Sequence, residues 1–225
     1  MSAAGPALWL SLKLAGATAG LLLPLGLLLG RWLAVSRNPL RAWVDAAVML
    51  PLVLPPTVIG YYLLLSLGSQ SWLGKLYESF ADKTLAFSFE GLLLASLLFN
   101  LPFMIQPIQR AFSAIPNDVR EAARCCGLGS WQAFWRIEAP LAWPGILAGL
   151  VLSFAHTLGE FGVVLMVGGN IPGETQTLAI VIYDRVQALD LTTANQLSLL
   201  LLGSSFAAIA ALYLLMGQRG PWLRV

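Results

Sequence analysis

The sequence predicts an all-α membrane protein, and three observations lead to that fold class. Of its 225 residues, 58% are hydrophobic and only 11% are charged, whereas a soluble domain carries about 25% charged residues. The mean hydropathy is +0.77. The few charges are clustered, which leaves long uncharged segments between them. A net charge of +2, without a basic stripe, gives no reason to expect nucleic acid as a partner.

Five segments are long and apolar enough to cross a bilayer, because a hydrocarbon core of about 30 Å takes roughly 20 helical residues. The predicted spans cover residues 7–33, 46–67, 91–108, 143–167 and 197–216. Between the last two spans lies the apolar run 178–183, which is too short to cross and predicts a short helix at the membrane face. We therefore expect a single transmembrane domain over residues 1–225.

The basic residues predict an N-terminus outside the cell and a cytoplasmic C-terminus. With that orientation, nine basic residues lie in the loops and tail on the inner side and four lie outside. Such an excess is typical of the cytoplasmic side of a membrane protein. The inner set is Arg31, Arg37, Arg41, Arg110, Arg120, Arg124, Arg136, Arg219 and Arg224; the outer set is Lys13, Lys75, Lys83 and Arg185.

The predicted spans contain many residues that bend helices or let them pack closely. Proline removes a backbone donor, so Pro51, Pro55 and Pro56 predict a bent second span. Glycines spaced four apart favour close helix packing. Three such pairs occur, and they suit either moving transporter helices or ordinary bundle packing: Gly16 with Gly20, Gly26 with Gly30, and Gly145 with Gly149.

A predicted cytoplasmic loop, residues 109–141, reads as two short helices separated by a glycine turn. Gly127 is expected to stop the first helix, because glycine accepts the backbone conformation that ends helices. Pro140 is expected to end the second. Two tryptophans, one turn apart, give this second helix an aromatic face that favours docking against a partner: Trp131 and Trp135.

The loop resembles the EAA motif of ABC importer permeases, which reads EAA, three residues, G, nine residues, I, one residue, L, P. The matching residues are Glu121, Ala122, Ala123, Gly127, Ile137 and Pro140. Every spacing holds, but Ala139 stands where leucine is usual. The resemblance implies the type I ABC importer permease fold. It also implies that this loop is the coupling helix that docks on an ATPase subunit.

Further segments resemble the molybdate and sulfate permeases. They are residues 51–56 with Gly60 and Tyr61, residues 158–162, and residues 170–175 with Thr177, Ile182 and Tyr183. The last group is closest to the molybdate branch, so the resemblance implies molybdate as the substrate, with sulfate, thiosulfate or tungstate as alternatives. It implies that an outer loop faces an oxyanion-binding protein through Asn170, Pro172, Gly173 and Glu174.

The same resemblance implies the partners and the location of the chain. It implies two ATPase subunits, a second permease copy that forms a homodimer, and a periplasmic or extracellular oxyanion-binding protein. The chain is expected to be a multi-pass protein of the bacterial plasma membrane.

The sequence has no phosphate-binding loop and only one histidine, so we expect neither catalysis nor a cofactor or metal. ATP hydrolysis then belongs to the separate subunit.

An ionisable pair inside the fourth predicted span, His156 and Glu160, leaves two roles open. A spacing of four places both side chains on one helix face, where they can fix the helix or line the pathway. The same two roles, fixing the helix or lining the pathway, are open for Asn100, a polar residue in the third predicted span. A membrane-embedded enzyme or a proton-coupled secondary transporter could also use the pair, but neither class explains the EAA loop.

Overall fold

The computed structural model describes residues 4–218 and consists of helices and their connections. Four helices are long and apolar enough to cross a membrane, and a bent pair of helices supplies a fifth span if its halves are taken together. The long helices are α1 (Ala4–Val35), α5 (Phe89–Ser113), the helix Ser130–Gly159 and α11 (Leu191–Gln218), and the bent pair is α2 (Leu40–Val53) with α3 (Pro56–Leu67). Arg219 and Arg224, which enter the orientation argument, lie outside the described residues.

Apart from α8, the remaining elements are short. They are α4 (Trp72–Ala81), α6 (Asn117–Cys125) and α7 (Ser130–Ala133), then a π-helical turn (Phe134–Glu138), α8 (Ala139–Gly159), α9 (Gly162–Gly168) and α10 (Leu178–Gln187). α7, the π turn and α8 follow one another without interruption and together form the helix Ser130–Gly159.

Helix α5 is the central helix of the bundle. It packs along α1 and α8 and also contacts α2 and α9. Its buried side chains form the middle of the core, because helices reach it from several sides: Leu92, Ala95, Met104, Ile105, Ile108 and Phe112 are all inaccessible to solvent. The N-terminal end of α5 follows α4 and its C-terminal end leads into α6. The α4–α5 connection and the α5–α6 connection therefore lie at opposite ends of the bundle.

Glycines let α1 and α8 approach α5 closely. A Cβ atom at Gly26 would lie 2.6 Å from the Met104 side chain, and one at Gly145 would lie 2.6 Å from the Pro107 carbonyl oxygen. By contrast, no described atom lies within 4 Å of a Cβ placed on Gly16. Two of the three predicted pairs are therefore packing seams and the third is open. The packed pairs are Gly26 with Gly30 and Gly145 with Gly149, and the open pair is Gly16 with Gly20.

The predicted span 46–67 is not one continuous helix. α2 ends at Val53 and α3 begins at Pro56, with an angle of 109° between them. Leu54 is extended, with φ −77° and ψ 141°, because the residue before a proline is pushed out of the helical region. Pro55 and Pro56 also lack the amide donors that would continue the helical ladder.

The predicted span 143–167 begins earlier and is interrupted. Pro140 was expected to end a loop helix, but the helix Ser130–Gly159 continues through it. The amide of Ala139 donates to the carbonyl of Phe134, five residues back. This wider π turn relieves the clash between a proline ring and the preceding turn. The helix then ends at Gly159, and α9 begins after a two-residue break.

Two short helices lie at the end of the bundle where α5 begins. The run 178–183 was predicted to be helical, and α10 covers it, with its first four residues buried. α4 was not expected from the sequence. Its start is fixed by Ser71, whose hydroxyl accepts a hydrogen bond from the Gly74 amide at 2.8 Å, as N-cap serines do.

The orientation of the chain gives a first testable prediction. Lys75 on α4 and Ser130 on α7 are both exposed and lie at opposite ends of the bundle. After Cys125 and Cys126 are replaced, a single cysteine at residue 75 should react with an impermeant thiol reagent added to intact cells. A cysteine at residue 130 should react only after the cells are permeabilised. The reverse labelling pattern would place the N-terminus inside.

Candidate functional site

The first helix of the predicted coupling loop ends in a left-handed glycine. Gly127, two residues after the end of α6, has a φ of +75°. Its amide donates to the carbonyl of Arg124 at 2.9 Å, and the amide of Leu128 donates to the carbonyl of Ala123 at 3.1 Å. These two bonds form the Schellman pattern, which satisfies carbonyls at a helix end. The prediction that Gly127 stops this helix is confirmed.

The motif residues are divided between an outward surface and the interior. Glu121, Ala122, Gly127 and Pro140 are exposed, Ile137 is partly buried, and Ala123 is buried. The two alanines therefore differ. The small side chain of Ala122 lets another surface approach the exposed face of α6 closely. Ala123 lets α6 pack on its own chain.

An aromatic patch lies beside the motif. Trp131 and Trp135 are 67% and 50% exposed, and their ring centroids are 5.5 Å apart in an edge-to-face arrangement. Beneath them, Phe134 is buried and stacks on Phe112 of α5, with centroids 5.9 Å apart. The patch is therefore anchored to the central helix, while its outer rings are open to a partner.

An ion pair between a buried carboxylate and a partly exposed arginine, which the sequence did not indicate, joins this loop to α1. Both carboxylate oxygens of Glu138 accept hydrogen bonds from Arg31, at 2.6 and 2.9 Å. Arg120, on α6, points its Nε at the same carboxylate from 3.9 Å. Glu138 is only 3% exposed. Arg31 and Glu138 are 107 residues apart, so the only signal in the sequence is a charge at the end of an apolar segment.

The structure places His156 and Asn100, two of the polar residues predicted inside the spans, within hydrogen-bonding distance of each other. His156 Nδ1 lies 3.1 Å from the side-chain oxygen of Asn100. The Asn100 side-chain amide also donates to the Ser96 carbonyl at 2.8 Å. The His156 ring stacks on Phe103, with centroids 3.9 Å apart. Both polar side chains therefore have partners between α5 and α8, as intramembrane polar groups require.

Glu160 stands at the break between α8 and α9. Its Oε1 accepts a hydrogen bond from the Val163 amide at 3.1 Å. Its Oε2 lies 4.0 Å from His156 Nε2, so the contact expected between residues four apart is present but long. Because the first amides of a helix lack partners within it, Glu160 serves as an acceptor for the start of α9.

The predicted binding-protein loop is an exposed turn at the other end of the bundle. Residues 170–174 are exposed, and Gly173 has a φ of +83°. The Asn170 side chain donates to Asp184 at 2.8 Å and accepts from Gln176 at 2.7 Å. These bonds fix the base of the turn on α10. The tip, with Pro172 and Glu174, is left free to meet another protein.

A central helix that contains two prolines, glycine packing seams and four or five apolar helices long enough to cross a bilayer describe a helical membrane protein. Residues 23–218 match the model of the family described as the binding-protein-dependent transport system inner membrane component. The chain belongs to this family and is a multi-pass membrane permease. The embedded enzyme and the proton-coupled secondary transporter are thereby set aside.

Within this family, the chain is similar to permeases of molybdenum transport systems. The chain is 45% identical over 207 residues to the molybdenum transport system permease protein ModB of Azotobacter vinelandii, covering 92% of each chain. It is 40% identical over 182 residues to ModB of Escherichia coli K12, covering 80% of this chain and 79% of that protein.

Among solved structures, a bacterial ABC transporter that imports the acidic polysaccharide alginate has the same fold. It superposes with a TM-score of 0.77 at 17% identity, over 95% of this chain and 79% of that one. The expected type I ABC importer permease fold is confirmed.

Proposed function

We propose that this chain is the permease subunit of an ATP-driven importer that carries molybdate into the cytoplasm. The observation that carries the proposal is the 45% identity to a molybdenum transport permease over 92% of both chains. An alignment over 92% of the chain covers the loops as well as the spans. The exposed outer turn at residues 170–174, which resembles the molybdate branch, supports the same substrate.

The inner loop is proposed to couple the permease to an ATPase subunit. It has an exposed carboxylate at Glu121, a small exposed side chain at Ala122 that permits close contact, and two exposed tryptophans. A carboxylate forms strong hydrogen bonds with cationic partners, and tryptophans are enriched where proteins bind each other. ATP hydrolysis is assigned to that subunit, and this chain contributes no catalytic residue.

The complete importer is proposed to contain two copies of this chain, two ATPase subunits and one external oxyanion-binding protein. ATP binding would draw the ATPases together and move the inner loops, and the bundle would open to the outside. The turn around Gly173 and Glu174 would receive the binding protein at the opposite end.

The pathway is proposed to hold the anion weakly. His156 is the residue of interest because it is a basic side chain inside a span, and it is already engaged by Asn100 and Phe103. Weak contacts suit a pathway, because a substrate that enters must also leave. Selection of the anion then falls mainly to the binding protein.

The substrate assignment is tested by competition in proteoliposomes that contain the permease, its ATPase and the binding protein. We expect ATP-dependent uptake of labelled molybdate that excess tungstate competes for and excess sulfate does not. Vesicles without the binding protein are the control and should show no uptake. Equal competition by sulfate would move the chain to the sulfate branch, and uptake driven by a proton gradient without ATP would contradict the mechanism.

A further inference from the structure

The carboxylate of Glu138 is the most deeply buried acidic group that the described residues place in the inner loop. A buried carboxylate is stable only when it is paired and hydrogen-bonded. Arg31 meets this need with two parallel bonds, one to each oxygen. Such a fork fixes direction as well as distance, because the guanidinium and the carboxylate are both planar. The contact therefore sets the orientation of α1 relative to the π turn.

A second arginine faces the same carboxylate from the EAA helix. Two guanidinium nitrogens of Arg120 donate to the carbonyls of Phe112, at 2.6 Å, and Ile115, at 3.0 Å, which fastens α6 to the end of α5. Its Nε is buried without a hydrogen-bond partner and lies 3.9 Å from Glu138. A small movement of α6 toward Glu138 would complete a third bond to the carboxylate.

An aromatic contact runs from the outer patch to the same ion pair. The exposed Trp131 stacks on Phe134 with ring centroids 6.0 Å apart, and the guanidinium of Arg31 lies 5.4 Å from the centre of the Phe134 ring. A partner that presses on Trp131 therefore acts on a ring that is packed against Arg31. α1 in turn lies along α5 on the Gly26 and Gly30 seam.

From these contacts we infer that Glu138 is a positioning residue for transport. Held by Arg31 and faced by Arg120, it makes the inner loop and α1 move together, so that a displacement of the loop reaches the bundle through this ion pair. The inference rests on the proposed function and adds the connection between the docking surface and the first span. The exposed pair of Arg185 and Asp190, at 3.6 Å, has no such connection and serves as a control.

The test is the number of molybdate ions taken up per ATP hydrolysed by the complete importer in proteoliposomes. The main variant is the double change Arg31→Met with Glu138→Met, because an apolar pair of similar volume leaves neither partner of the ion pair unpaired, and Arg120 keeps its hydrogen bonds to the Phe112 and Ile115 carbonyls. We expect assembly and ATP hydrolysis close to wild type, with uptake per ATP lower by about tenfold, a typical size for a lost coupling. Arg31→Lys keeps the charge without the fork and should give an intermediate ratio. Arg185→Gln should give the wild-type ratio.

Two outcomes would overturn the inference. One is a double variant that takes up molybdate with the wild-type ratio. The other is a parallel loss of assembly, hydrolysis and uptake in both the double variant and Arg31→Lys, which would make the pair a folding contact only. A wild-type importer that hydrolyses ATP but imports no oxyanion would instead refute the proposed function.

Discussion

Replacing Gly127 with valine is expected to abolish uptake while leaving the protein inserted in the membrane. Gly127 has a φ of +75°, where a side chain costs about 1–2 kcal/mol, and more when it is β-branched. No described atom lies within 4 Å of the added Cβ, so the cost comes from the backbone and not from crowding. The turn must change, and with it the angle between α6 and the aromatic patch.

Gly129 supplies the matched control. It is two residues away and exposed, and it has a φ of −65° that any residue can adopt. Its added Cβ would also have no described atom within 4 Å. Gly129→Val should therefore keep uptake and ATPase association, as measured by co-purification and by proteoliposome uptake. Full transport by Gly127→Val would count against a coupling role for this loop.

Replacing Glu160 with alanine is expected to destabilise the break between α8 and α9. The Val163 amide would lose its acceptor at 3.1 Å, and a buried unsatisfied donor costs about 2 kcal/mol. In a chain of this size that corresponds to a melting temperature lower by roughly 5 °C. Thermal unfolding of the purified permease in detergent measures the change.

Glu160→Gln separates the two roles that the sequence left open. Glutamine keeps a side-chain oxygen that can accept from Val163 but carries no charge. A helix-fixing role predicts melting and transport close to wild type for Glu160→Gln and a clear loss of stability for Glu160→Ala. If Glu160→Gln melts normally but transports more slowly, or changes the competition between molybdate and sulfate, the residue belongs to the pathway.

The sequence indicated the membrane character, the approximate positions of the long apolar helices and the loop that contains the EAA-like motif. Apolar length determines whether a segment can cross a bilayer, and the first, third and fifth predicted spans fall within α1, α5 and α11. The helix stop at Gly127 was also predictable, because it depends on neighbouring backbone atoms alone. The motif spacing through Pro140 indicated the family before any packing was known.

The effect of a proline on a helix could be predicted only in part from the neighbouring residues. Pro55 and Pro56 break a helix, as their chemistry predicts, but the angle of 109° depends on what α3 packs against. Pro140 was predicted to end a helix and does not, because a π turn before it absorbs the clash. The same residue type gives opposite results because the neighbouring turns differ.

The sequence by itself determined that this chain is a helical membrane permease, since hydrophobicity and motif spacing can be read along the chain. Only the tertiary structure decided that Glu138 pairs with Arg31, that His156 meets Asn100, and that Gly16 stays open while Gly26 is packed. Each of these depends on which helix faces which. That arrangement is set by the fit of whole helix surfaces around α5, and residues 107 apart in sequence carry no local sign of it.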